Sequence, residues 1–133
     1  NEIPDMSRLT LSLGDTFDPQ SVYNVDENFG NKSLTFTGIN RMKSFAEWSF
    51  KRKESTIIFG GHSLWFKAFF NTFLPFSVDH ISKQKKMVNS GVIGFYVYRA
   101  IGADGMPIYK IDPDSIVEVY GGFEVGKGKK KLL

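Results

Sequence analysis

The chain has no cysteine, which removes a disulfide framework and all thiolate chemistry and agrees with a reducing, cytoplasmic setting. Histidine is nearly as scarce: His62 and His80 are the two. Without cysteine they cannot complete a structural zinc site of the usual kind, and no HExxH pair is present, so neither a metal nor another cofactor is expected. Asp112-Pro113-Asp114 is too short and wrongly spaced for a calcium loop and reads as a turn. No apolar run approaches the roughly 20 residues of a membrane span, and nothing near Asn1 reads as a signal peptide, so no membrane partner is expected. A chain that opens on Asn1 rather than methionine is expected to be a fragment or a processed piece.

Aromatic residues, in contrast, are plentiful. Thirteen phenylalanines, five tyrosines and two tryptophans in 133 residues exclude disorder of the whole chain. A single domain of this length buries roughly two thirds of the surface its unfolded chain exposes. The formal charge of +3 is local: Lys127, Lys129, Lys130 and Lys131 contribute four positive charges, and the remainder of the chain stands at −1. The body therefore has no net basic field, and no nucleic-acid partner is expected.

Three regions follow from composition. Residues 1–32 are loop-rich, with a short extended piece where Leu9, Leu11 and Leu13 alternate with polar residues; residues 33–122 carry the α/β pattern; residues 123–133 form a basic tail. Within the middle region, Ile39, Met42, Phe45, Ala46 and Phe50 recur at three- and four-residue steps, which predicts a helix over about 37–53. Residues 56–59 (TIIF) form a β-branched apolar run that stops at Gly60-Gly61 and passes through His62 and Ser63 into a second helical pattern over 63–73, ended by Pro75. Leu64, Ala68, Phe69, Thr72 and Phe73 are candidates for its buried face, and Trp65, Phe66 and Phe70 for a second covered surface. Residues 78–86 hold one further helical turn or two. Residues 91–99 (GVIGFYVYR) are the strongest strand signal, and their continuity suggests burial on both faces. The turn at residues 102–105 leads into 106–110 as a hairpin, and residues 115–120 read as the last strand.

The chemistry concentrates at the strand-to-helix turn. Such a turn ends a strand where ligands bind, with first-turn N–H groups aimed at an anion, and His62 is placed to donate to a phosphoryl oxygen. Two other motifs compete with this reading. Residues 121–127 match GxxxxGK, but Gly128 stands where a magnesium-holding hydroxyl is required and no helix can follow. Gly61-His62-Ser63-Leu64 is the front of a GxSxG elbow, but Trp65 replaces its small fifth residue and the partners of a triad are poorly placed, which leaves a serine hydrolase using Ser63 as a lesser alternative.

Gly60-Gly61-His62-Ser63 before an amphipathic helix, followed by Lys86-Met87-Val88-Asn89-Ser90-Gly91-Val92 opening a strand, resembles the C-terminal half of the histidine phosphatase (phosphoglycerate mutase-like) superfamily over residues 33–122. The resemblance implies an α/β fold, the C-terminal part of a three-layer α/β/α sandwich with a mainly parallel sheet and a terminal hairpin. It also implies that His62 is the second catalytic histidine, with Glu2 as the matching general acid, a place for which Asp5 competes, and Gly61, Ser63 and Asn89 at the substrate. The substrate implied is a phosphomonoester, turned over through a phosphohistidine by a phosphatase or mutase. The family's Arg-His-Gly nucleophile motif does not occur in this sequence. The resemblance therefore implies half a site, inactive alone and partnered by an N-terminal half carrying that triplet; the alternative is a catalytically inactive interaction domain.

Overall fold

The computed structural model describes Asp18 and residues 38–125. By internal packing the chain divides into two units, Asn1–Phe36 and Thr37–Leu133, and the elements below belong to the second.

Helix α1, Gly38–Lys51, forms where the three-and-four spacing predicts a helix; Met42 and Ala46 are buried and Phe45 is half-buried. Ile39 and Phe50, also on the apolar list, stay exposed. Lys51 in the last turn complements the helix dipole. Helix α2 spans Ser63–Phe73, with the bounds that the sequence pattern predicts. Its C-cap, Leu74, is extended, as the residue before Pro75 should be, and its N–H still donates to the Phe70 carbonyl. Phe69, Phe70 and Phe73 take the buried face, whereas Leu64 is 66% exposed. A single turn, α3, covers Ile81–Gln84; it is tied back to α2 by the Asn71 amide, which donates to the carbonyls of Lys67 and Lys83.

The remaining chain is a long antiparallel ribbon. Strand β1, Val92–Gly94, and strand β2, Val97–Ile101, run one after the other. Strand β3, Pro107–Ile111, returns beside β2 in the register Val97↔Ile111 to Ile101↔Pro107. Strand β4, Val117–Tyr120, returns beside β1, with a bulge between Val92 and Ile93. Asp112 caps a 3-10 turn, Pro113–Ser115, between β3 and β4, so this short sequence does form a turn. The two ladders stay joined across that turn, because the Asp112 N–H donates to the Tyr96 carbonyl and the Tyr96 N–H to the Ser115 hydroxyl. A bridge between Met87 and Phe123 extends the ribbon past β4. Gly121 and Gly122 make that extension possible: both have positive φ (76° and 71°), which a side chain would strain.

The expectation of a mainly parallel sheet in a three-layer sandwich is overturned. The described residues hold two two-stranded sheets, β1–β4 and β2–β3, both antiparallel. The continuity of residues 91–99 suggested burial on both faces, yet Val92, Tyr96 and Tyr98 are exposed and the run breaks into two strands at Phe95-Tyr96. A short turn after β2 folds the chain straight back, and only antiparallel pairing is compatible with so short a connection; a parallel neighbour needs a crossover of about a dozen residues or more. Residues 56–59, the other expected strand, pair with nothing among the described residues.

α2 packs against α1, α3 and β3. Phe70, Leu74 and Ile111 are almost completely buried, joined by Met42, Ala46, Phe69, Phe73, Met87, Tyr109 and Phe123. Much of this core is ring on ring: Phe69 and Phe73 centroids lie 4.7 Å apart, and those of Phe70 and Phe95 5.2 Å.

Candidate functional site

The turn before α2 is built from both sides. Downstream, the aromatic face of α2 fixes the helix in the core. Upstream, the chain over residues 56–60 alternates: Ile57 and Phe59 are half-buried, whereas Thr56, Ile58 and Gly60 are exposed. Phe59 is the anchor, with its ring 5.0 Å from Phe45, 5.7 Å from Phe66 and 5.9 Å from Phe69. Among the described residues nothing lies within 4 Å of a Cβ built on Gly60, and one on Gly61 would reach the Phe66 ring at 3.4 Å, an ordinary contact. The turn is therefore open on its outer side.

His62 is the N-cap of α2, with extended backbone (φ −87°, ψ 145°). Its carbonyl accepts the first helical bond, from the Phe66 N–H at 3.1 Å, but its side chain makes no capping bond. The imidazole is exposed and has no hydrogen-bond partner among the described residues. The first-turn N–H groups of α2 thus keep the outward donors that every helix start presents, with an uncommitted imidazole beside them. This arrangement can place a neutral or charged donor and several backbone donors on one anion.

Gly61, His62 and Ser63 are contiguous and share this turn. Ser63 is half-buried, and its hydroxyl has no hydrogen-bonded base among the described residues. The other histidine is committed elsewhere: His80 caps α3, with Nδ1 2.8 Å from the Ser82 hydroxyl and 3.1 Å from the Ser82 N–H. Because that N–H donates to Nδ1, the proton of the neutral ring sits on Nε2. Asn89 is exposed in the turn before β1, where Ser90 adopts φ 61°, and no hydrogen bond links it to the His62 turn. Glu2 lies outside the described residues. Among the described residues no group of three or more His, Asp or Glu could hold a metal ion, and no helix is long and apolar enough to cross a membrane.

The charged group closest in sequence to the turn on its upstream side is Glu54. Its backbone N–H and then the Arg52 guanidinium, at 3.2 Å and 3.3 Å, hold its carboxyl below the usual range. Arg52 also lies over the Trp48 ring at 5.4 Å. Two features here had no sequence signal: the docking of Phe59 into the aromatic cluster, and the exposure of Leu64 beside His62.

No family model, no curated protein and no solved structure matches this chain.

Proposed function

We propose that this chain supplies the second histidine of a phosphohistidine-dependent phosphoryl-transfer site, as part of a cytoplasmic phosphomonoester phosphatase or phosphoglycerate mutase. The observation that carries the reading is the exposed, uncommitted His62 imidazole at the start of an eleven-residue helix. Placed there, His62 donates to a phosphoryl oxygen while the first-turn N–H groups face the same charge, which is where electrostatic stabilisation of a transferring phosphoryl group is most effective. Gly61 and Ser63 border the anion; Asn89 and Glu2 complete the set that the resemblance implies, as a rim contact and as the acid for the leaving oxygen.

A second histidine is not a nucleophile. The Arg-His-Gly triplet is absent from the sequence, and His80 is bonded to Ser82, so the phosphorylated histidine has to come from a partner half. The same absence favours one other reading, a phosphatase-like interaction domain without turnover. Ser63, with no base bonded to it among the described residues, gives no comparable support to a serine hydrolase.

The deciding experiment assays the intact protein, with its Arg-His-Gly half, on p-nitrophenyl phosphate and on phosphoglycerates. His62→Ala is expected to lower turnover by about 10²–10⁴-fold, the usual worth of a positioned proton donor. Unchanged turnover in the variant excludes the assignment, and absence of turnover in the unmutated protein selects the interaction domain.

A further inference from the structure

Residues 55–61 are an extended segment whose main chain is unsatisfied among the described residues. None of their N–H or C=O groups takes part in a hydrogen bond there, and none belongs to a helix or a ladder. Yet the segment has the composition of a strand, three β-branched residues and a phenylalanine in succession, and the period-two burial of one. Phe59 sits against the aromatic cluster and Ile57, on the same face, is half-buried, while Ile58, on the opposite face, is 97% exposed. A β-forming run held in place by a half-buried ring, with main-chain edges unpaired among the described residues, is a template for another strand.

We infer that residues 55–61 are a docking site for an extended, β-forming segment of another polypeptide, which pairs with them through main-chain hydrogen bonds and covers Ile58. The occupant is defined by what is missing. Only another extended main chain supplies alternating donors and acceptors at the strand spacing, so a helix or a small apolar ligand leaves the deficit in place. Charge complementarity adds its flank: Lys51, Arg52 and Lys53 precede the segment against the single Glu54, and Lys53 has no ion-pair partner among the described residues. The partner strand therefore has apolar or β-branched residues at alternate positions and acidic residues at the end that meets Lys53. The inference rests on this main-chain geometry and holds whether or not His62 handles phosphate.

The test uses the whole 133-residue chain and the capped peptide Glu-Val-Thr-Val-Thr-Val-Glu, whose terminal acids leave strand direction open. Amide exchange at residues 56–60 is expected to slow by about tenfold or more as the peptide saturates, the change that pairing worth about 1.4 kcal/mol produces. The same peptide N-methylated at alternate residues keeps its side chains but loses the donors on one edge, and is expected to give no protection. Ile58→Pro removes a donor from a position that is exposed and bonds to nothing among the described residues; it is expected to leave the circular dichroism of the chain unchanged and abolish the peptide effect. Absence of protection up to millimolar peptide, equal protection by the methylated peptide, or slow exchange of these amides in the dilute free chain each overturns the proposal. Protection that appears with protein concentration alone overturns the separate partner in favour of a second copy. Because exchange rather than turnover is read, failure here and failure of the phosphatase assay are distinguishable.

Discussion

His62 and Phe70 sit two turns apart on one helix and should answer to opposite measurements. His62 is exposed and caps nothing with its side chain, so His62→Ala is expected to shift stability by no more than about 0.5 kcal/mol in urea unfolding while removing turnover from the intact protein. A substantial loss of stability would mean that the imidazole has a structural partner after all. Phe70 is 1% exposed and meets both Phe95 and Phe123, so Phe70→Ala should cost about 3–5 kcal/mol by chemical denaturation. Ser82 is a subtler case: it is completely buried, and its hydroxyl meets His80 at 2.8 Å. Since its N–H still satisfies Nδ1 in the Ser82→Ala variant, the expected cost is only about 1 kcal/mol, read from the thermal midpoint.

At the scale of elements, the short stretch between α1 and α2 carries the exposed Arg52–Glu54 ion pair. The Glu54 carboxyl is held low by its own N–H first and by Arg52 second, so a carboxylate depressed in the folded state contributes only above its unfolded titration range and loses that contribution as pH falls through its folded one. Glu54 is fully exposed, so the visible effect is on titration. NMR should find Glu54 titrating below an ordinary glutamate, with Arg52→Gln moving it only part of the way back. The elements differ in how legible they are from local signals. α2 was legible to the residue, because apolar spacing, a turn before it and Pro75 after it are all local signals. The hairpin β2–β3 was equally plain from its turn. Pairing partners were not: residues 91–99 read as one doubly buried strand, and nothing within them reveals that β4 returns beside Val92 and leaves it half exposed. Residues 56–59 carry strand propensity, but a ladder requires a neighbour and the described residues contain none. Of the candidate site, the His62 turn was readable from its glycines and the helix behind it, while Glu2 and Asn89 rested on resemblance alone.

For the molecule as a whole, order should be unequal along the ribbon. β3 is seated on α2 and buries Tyr109 and Ile111, whereas all four residues of β4 are exposed. Native-state exchange is therefore expected to be slower at residues 108–111 than at 117–120, and equal rates would mean that the ribbon opens as one unit. The three ion pairs described, at Lys51–Glu47, Arg52–Glu54 and Lys86–Glu124, lie on the surface, so raising salt should change stability little. The segment before His62 has a practical consequence for handling the chain. Residues 55–61 contain no charge and no proline, the composition from which cross-β stacks grow. The cluster Lys51, Arg52, Lys53 and Glu54 stands immediately upstream as a gatekeeper, so neutralising those lysines should speed fibril formation on storage, read by thioflavin T fluorescence against the unmutated chain.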